Sequence, residues 1–286
     1  MLCSEAYRTA LKQQLAAGAR SFAAARQAAV QALCPGSDIA ALLDKPNNNL
    51  AVEYCKAIIE QNVEMQPIAL PRQGADHGQA LTESAHAAFA SASALRALWA
   101  EGGAAALAPY VPQKALKLYK QAEYDGKYTD FAVMGHCELA LLRAACTEQA
   151  PFAAVRGVSE GLEHRLENAV RETASLPALL NALTTVRYPR ARMRRLAMDA
   201  ALGYTAQTPA LPPYLHLLGA RKEALPLPGE TALPLSHSLA RLARENETCA
   251  QMAAAQSRAS DLGALCRAKP EPMGGIYRQK IIFLTN

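Results

Sequence analysis

The sequence predicts an α+β fold that is mostly α. A small mixed part covers residues 1–104 and a larger, mostly helical part covers 105–286. Three observations predict it. Apolar residues recur at helical spacing through most of the chain, as in Leu11, Leu15, Phe22, Ala25, Ala29 and Leu33. One apolar run, residues 63–70, has the composition of a strand and stops at Pro71. No internal repeat of about 20–50 residues is visible.

Residues 5–33 read as helix, split in two near Gly18 and Ser21, and Pro35-Gly36 then breaks the chain. Residues 37–45 form a link ending at Pro46. Asn47, Asn48 and Asn49 offer a ready N-cap to a helix over 50–59. The strand candidate follows, with Val63, Met65, Ile68 and Leu70. Residues 72–78, Arg-Gln-Gly-Ala-Asp-His-Gly, make a polar, glycine-punctuated loop. Helix returns over 81–100 and stops at Gly102-Gly103. Beyond 108 the pattern is helical almost to the end, most clearly over 129–143, 161–173 and 189–202. Proline-rich joints fall at 211–213 and 225–234. The run 274–284 alternates weakly and reads as a terminal strand.

The chain has 286 residues, with 30 Lys+Arg against 25 Asp+Glu and a net charge of +5. Charged residues of both signs make up 19%, which excludes a disordered acidic or basic tail. No run of about 18 apolar residues exists, so no membrane-spanning helix is expected. The start MLCSEAYRTALKQQ is polar from its fourth residue and does not read as a secretory signal. The expectation is a cytoplasmic protein without a membrane and without a stable protein partner. Seven cysteines, with no CxxC pair, fit neither a zinc site nor a disulfide framework and read as free thiols. No metal site is expected.

Four constellations can carry chemistry. The first is helix 51–59 with its asparagine lead, the strand 63–70 and the loop that follows: Arg72 would stand at the carboxyl edge of a sheet, where open α/β sheets bind ligands, and would grip a phosphate, with Asp76 and His77 assisting. The same residues also read as an N-cap, a turn and a surface arginine. In the second, Ser91, Ser93 and Arg96 open a helix, where free N–H groups and the positive dipole end favour an anion. They equally fit an alanine-rich helix with two tolerated serines.

The third is the run 187–195. Arg187, Arg190, Arg192, Arg194 and Arg195 place five positive charges in nine residues, and no acid occurs between Glu172 and Asp199. A solvated helix face is usually laced with acids at i±4; their absence points to a phosphate backbone, with Tyr188 available to stack on a base. The fourth is 159–166, Ser-Glu-Gly-Leu-Glu-His-Arg-Leu. Glu160 and Glu163 share a face, as acid–base work would need, although Glu160 also suits a helix N-terminus and Glu167–Arg171 an i,i+4 pair. No catalytic triad, GxGxxG or Walker A pattern is present, and the catalytic residues are unknown from sequence.

Together these segments resemble a known family. PNNNLAVEYCKAI (46–58), LPRQGADHG (70–78), SASALR (91–96), SEGLEHRL (159–166), TTVRYPRARMRRL (184–196) and PPYLHLLG (212–219) follow the order seen in bacterial tRNA(Met) cytidine acetate ligases. Residues 7–30 are similar to the helical stretch before the asparagine motif there. The pair SEGLE and RYPRARMRRL is the most specific element.

The resemblance implies a nucleotidyltransferase of the class I synthetase type, with a Rossmann-like sheet followed by a helical domain. It implies ATP with Mg, acetate as co-substrate, and tRNA(Met) as the acceptor acetylated on its wobble cytidine through acetyl-adenylate. It assigns Asn47, Asn48, Arg72, Gln73, Ser91, Ser93 and Arg96 to the nucleotide. It assigns Arg187, Tyr188, Arg190, Arg192, Arg194 and Arg195 to tRNA. The family begins with a strand and a His-x-Gly-His type signature for the ATP phosphates, and this sequence contains none. The expectation is therefore a chain that starts past that half-domain, with impaired ATP chemistry. The rival expectation is a helical RNA-binding protein without catalysis.

Overall fold

The computed structural model describes residues 1–19, 21–70, 90–224 and 231–284. The chain forms two compact units: Met1–Gln73 with Thr185–Pro189, and Gly74–Thr184 with Arg190–Asn286.

In the first unit, α1 (Glu5–Ala16) and α2 (Phe22–Leu33) pack on each other. Gly18, at φ +82°, turns the chain between them. Ser21 restarts the helix, its hydroxyl accepting from the Ala24 N–H at 3.2 Å. A 3₁₀ turn (Asp38–Asp44) leads into α3 (Pro46–Glu60). Tyr7, Ala10, Ala29, Val30, Ala40 and Leu43 form the core.

The asparagines do not cap α3. The helix already begins at Pro46, the residue before it makes no side-chain cap, and the asparagines lie in the first turn. Asn49 closes the turn instead. Its amide donates to the Leu43 carbonyl at 2.6 Å and to the Lys45 carbonyl at 3.3 Å, and its oxygen accepts from Arg26 at 3.4 Å. Arg26, nearly buried on α2, also pairs with Glu53 at 2.6 Å. Replacing Asn49 by Ala strands these partners. Asn49→Ala should lower the thermal midpoint, at a cost of about 1–3 kcal/mol, read by calorimetric melting.

The strand expected over 63–70 forms no ladder among the described residues. The Val63 N–H donates to the Ile58 carbonyl and the Met65 N–H to the Val63 carbonyl, and Pro67 has no N–H to offer. Strand composition without a neighbouring strand makes no sheet. This segment and α3 instead border an apolar cleft of about 670 Å³ lined by Tyr54, Ile58, Val63, Met65 and Ile68.

The second unit begins with α4 (Ala92–Gly102), a 3₁₀ turn (Ala104–Leu107) and α5 (Gln113–Asp125). Next come α6 (Phe131–Ala145), α7 (Leu162–Glu172), α8 (Leu176–Leu183) and α9 (Arg190–Ala201), close to the helices the sequence predicts. Asp130 caps α6, its carboxylate accepting from the Ala132 and Val133 N–H groups, and Ser175 caps α8. α6 packs against α7, α8 and α9. Their shared core includes Leu142, Leu162, Leu166, Leu179, Leu183 and Met193, all fully buried.

The rest of this unit holds β1 (Leu215–His216), β2 (Gly219–Arg221), β3 (Leu235–Ser236), α10 (Leu239–Leu242), α11 (Glu247–Leu265), α12 (Gly275–Arg278) and β4 (Ile282–Leu284). β1 pairs with β3 and β2 with β4, both parallel, with Leu215 opposite Leu235 and Gly219 opposite Ile282. The terminal strand is thus shorter than the alternation predicts, because Gly275–Arg278 coils into a helical turn. The fold is mostly helical with small parallel sheets. No helix among the described residues is long and apolar enough to cross a membrane. All seven cysteines are free thiols. Cys249 and Cys266 are buried, and burial pushes the Cys266 thiol up to about 11.

Candidate functional site

α9 carries four of the five arginines of the run, Arg190, Arg192, Arg194 and Arg195. Met193, Leu196 and Ala197 recur at i, i+3 and i+4 and bury themselves against α6 and α8. That stripe fixes the helix and turns Arg190, Arg194 and Arg195 outward, where they are exposed.

The arginines have different fates. The Arg190 guanidinium donates to the Asn181 side-chain oxygen. Arg192 reaches the Gly157 carbonyl and the Ser159 hydroxyl, each at 3.5 Å. Arg194 and Arg195 make no hydrogen bond or ion pair among the described residues. Asp199, the first acid after the run, is taken by Arg156 through two bonds of 2.8 and 3.1 Å. Charge on the outer face of α9 is therefore left uncompensated by acids of its own helix.

The structure joins two motifs that lie about thirty residues apart in sequence. Arg192 ties the arginine helix to Ser159, and the loop 157–161 ends at α7. That loop is built from three left-handed residues: Gly157 at φ +80°, Glu160 at +57° and Gly161 at +81°. Glycine adopts this region freely; for Glu160 it costs on the order of 1 kcal/mol. Leu162 and Leu166 anchor α7 in the core. Arg165 donates to the Ala182 carbonyl at 2.6 Å, tying α7 to the end of α8. Glu167 and Arg171 form the expected i,i+4 pair at 2.8 Å. His164 is exposed and lies 3.8 Å from Glu163.

Arg187 and Tyr188 belong to the other unit. Their turn is closed by two bonds of 3.0 Å, the Tyr188 N–H donating to the Thr185 hydroxyl and the Thr185 N–H to the Tyr188 carbonyl. The Arg187 guanidinium lies 5.8 Å from the Tyr188 ring centre, so this ring already carries a cation on one face.

One residue of this site escaped the sequence reading. Glu138, on α6, is 1% exposed, and its Oε1 has no hydrogen-bond partner. Burial pushes its carboxyl up to about 7, against the pull of Arg194. A lone acid inside the apolar stretch 131–145 was the available signal.

The described residues that the resemblance assigns to the nucleotide fall on two helix starts, one in each unit. Asn47 and Asn48 lie in the first turn of α3, with Asn47 exposed. Ser91 caps α4, accepting from the Ala94 N–H at 3.2 Å, and its hydroxyl lies 3.0 Å from that of Ser93. Arg96 is exposed one turn further on. Arg72, Gln73, Asp76 and His77 lie outside the described residues. Among the described residues no group of three or more His, Cys, Asp or Glu can hold a metal ion.

The family model for HIGH nucleotidyl transferases matches residues 2–273. The tRNA(Met) cytidine acetate ligase of Listeria monocytogenes serovar 1/2a is 30% identical over 186 residues, covering 63% of this chain and 45% of that protein. The ligase of the same description from Thermoanaerobacter sp. X514 is 28% identical over 203 residues, covering 70% and 48%. The chain thus spans just under half the length of these relatives. Thermotoga maritima TmcAL, crystallised with alpha-thio ATP, superposes with a TM-score of 0.82 at 20% identity, over 99% of this chain and 71% of that one. The apo form of the same protein gives 0.83. At that identity the likeness establishes the fold.

Proposed function

The chain belongs to the HIGH nucleotidyl transferase family, and on that premise we propose that it serves the ATP-dependent acetylation of the wobble cytidine of elongator tRNA(Met). The observation that carries this reading is α9, whose exposed arginines are free of acids on their own helix and are tied by Arg192 to the Ser159 loop. An arginine face of this kind meets phosphates without sequence preference and sets the register of an RNA. Arg190, Arg192, Arg194 and Arg195 would contact the tRNA backbone, with Arg187 and Tyr188 as further contacts.

In this reading acetate attacks the α-phosphorus of ATP, forming acetyl-adenylate and releasing pyrophosphate. The exocyclic amine of the cytidine then attacks the acetyl carbonyl, loses a proton and expels AMP. The uncapped start of α3 with Asn47 and Asn48, the Ser91–Ser93 start of α4 with Arg96, and Arg72 with Gln73 would hold the nucleotide. Mg would arrive with ATP. The nucleotide segments all precede residue 104 and the main tRNA segments follow it, which supports a functional partition there. The reaction would take place in the cytoplasm.

A second reading rests on the exposed arginines of α9 alone: a helical RNA-binding protein without catalysis. Calorimetry with Mg-ATP, with and without tRNA(Met), separates the two. The ligase reading expects ATP binding that weakens about tenfold or more in Arg96→Ala, where a charge-assisted phosphate contact is lost, while tRNA affinity holds. Retained tRNA binding with no ATP heat would leave the RNA-binding reading alone standing.

A further inference from the structure

α5 presents a second cationic face, and it differs from α9 in carrying an exposed ring. Lys114, Lys117 and Lys120 follow one another at i, i+3 and i+6, all exposed. None of them makes a hydrogen bond or ion pair among the described residues. The two acids of the helix are held by other groups. Glu123 accepts from the Ala104 N–H at 2.9 Å, and Asp125 accepts from Gln121 at 2.9 Å and lies 3.8 Å from Lys127. Tyr124 stands one turn beyond Lys120 and two beyond Lys117, on the same ridge, and is 79% exposed.

The end of α5 is built around this ring. Gly126 closes the helix at φ +68°, its N–H and that of Lys127 returning to the Glu123 and Ala122 carbonyls. Residues 266–269 then run beside 126–130. The Lys269 N–H donates to the Gly126 carbonyl at 3.1 Å and the Ala268 N–H to the Tyr128 carbonyl at 3.0 Å. A Cβ on residue 126 would lie 2.5 Å from Lys269 Cγ, so the glycine makes room for the lysine stem. The ammonium is thereby held in place. It donates to the Tyr124 carbonyl at 2.9 Å and lies 5.6 Å from the Tyr124 ring centre. Solvation accounts for exposed lysines, but not for a cation positioned beside an exposed ring.

We propose that Tyr124, Lys269 and the lysines of α5 form a second RNA-contact surface, which takes an unpaired stretch of the strand. A base stacks on the open face of Tyr124, while Lys117, Lys120 and Lys269 meet the flanking phosphates. This rests on the reading of the chain as an RNA-binding protein, and adds to it a face that selects unpaired bases. Phosphates alone need only cations, as on α9. A bare ring set among lysines fits a ligand that alternates flat apolar faces with phosphates. Single-stranded RNA is such a ligand, whereas a duplex hides its base faces in its own stack. An acidic protein surface offers carboxylates but no such faces.

The test is fluorescence anisotropy across a salt series with two labelled probes, a short oligoadenylate and a blunt RNA duplex of equal phosphate count. Tyr124→Ala should weaken oligoadenylate binding about tenfold, the scale of one lost base–aromatic stack, and leave the salt slope and the duplex affinity unchanged. Tyr124→Phe should bind like wild type. Lys117→Gln with Lys120→Gln should lower the slope on the single strand by about 0.7 per lysine. Lys269→Met keeps the stem against Gly126, removes the charge, and should lower the slope by the same step. All four side chains are exposed, so the variants should fold, as circular dichroism checks. Equal loss of both probes in Tyr124→Ala, or loss of neither, overturns the proposal. Polyglutamate competing as well as unlabelled oligoadenylate at equal charge would assign the face to an acidic protein and overturn it too. Two outcomes separate it from the reading beneath it. If Arg194→Glu with Arg195→Glu weakens tRNA(Met) binding while the α5 variants leave both probes unaffected, only the α5 assignment fails. If wild type binds neither tRNA(Met) nor either probe, the RNA-binding reading itself fails, and this proposal with it.

Discussion

Reversing Arg192, Arg194 and Arg195 to glutamate should reduce tRNA affinity by roughly three orders of magnitude at about 100 mM salt. The size follows from counterion release. Each phosphate contact changes the logarithm of affinity by about 0.9 per tenfold change in salt, so each is worth close to one decade at 0.1 M relative to 1 M. Three lost contacts give about three decades, and repulsion adds to them. The slope of affinity against salt should fall by about one per arginine removed. Arg194→Glu with Arg195→Glu is the cleaner double variant, because neither side chain makes a hydrogen bond among the described residues, whereas Arg192 also supports the Ser159 loop. The buried stripe of Met193, Leu196 and Ala197 is untouched, so the helix should persist by circular dichroism. Filter binding across a salt series measures both quantities. Unchanged affinity near 100 mM salt would remove the RNA-binding reading.

The second large effect concerns stability. Folding raises the Glu138 carboxyl from its ordinary value to about 7. The native state therefore binds this proton more tightly than the unfolded chain does. The contribution to stability is complete below the unfolded value, declines as pH rises from about 4.5 through about 7, and levels off above. With 1.36 kcal/mol per unit, the ionised group costs on the order of 3 kcal/mol at pH 8. Glu138→Gln should thus gain on wild type by about 2–3 kcal/mol between pH 5 and pH 8, read as the difference between denaturant midpoints at the two pH values. A pH-independent difference would mean that the carboxyl is better solvated than its burial implies.

Glu138 shows where reading the sequence stops. The stretch 131–145 is plainly helical, but the face that turns inward depends on α7, α8 and α9, which close over it from distant parts of the chain. A polar residue in an apolar helix can point either way until that packing is known. The asparagines teach the same thing at shorter range. Three consecutive asparagines before a helix suggest a cap, yet Asn49 turns to the carbonyls of Leu43 and Lys45 while Asn47 stays exposed. The 63–70 segment failed as a strand because β structure is a property of pairs, and composition on one side cannot supply the other ladder.

Local chemistry was legible where the interaction is local. Gly18 and Ser21 divide the first helices because a left-handed turn and a hydroxyl cap act within four residues. The helices of the second unit follow from an apolar repeat that any partner surface would select. The arginine run and its lack of neighbouring acids are facts of composition, and so is the order of motifs that points to the family. What had to wait for the fold were encounters between side chains far apart in the chain: Arg192 on Ser159 and Arg156 on Asp199. Helical periodicity is written into neighbouring residues, whereas burial and charge pairing depend on which helices meet.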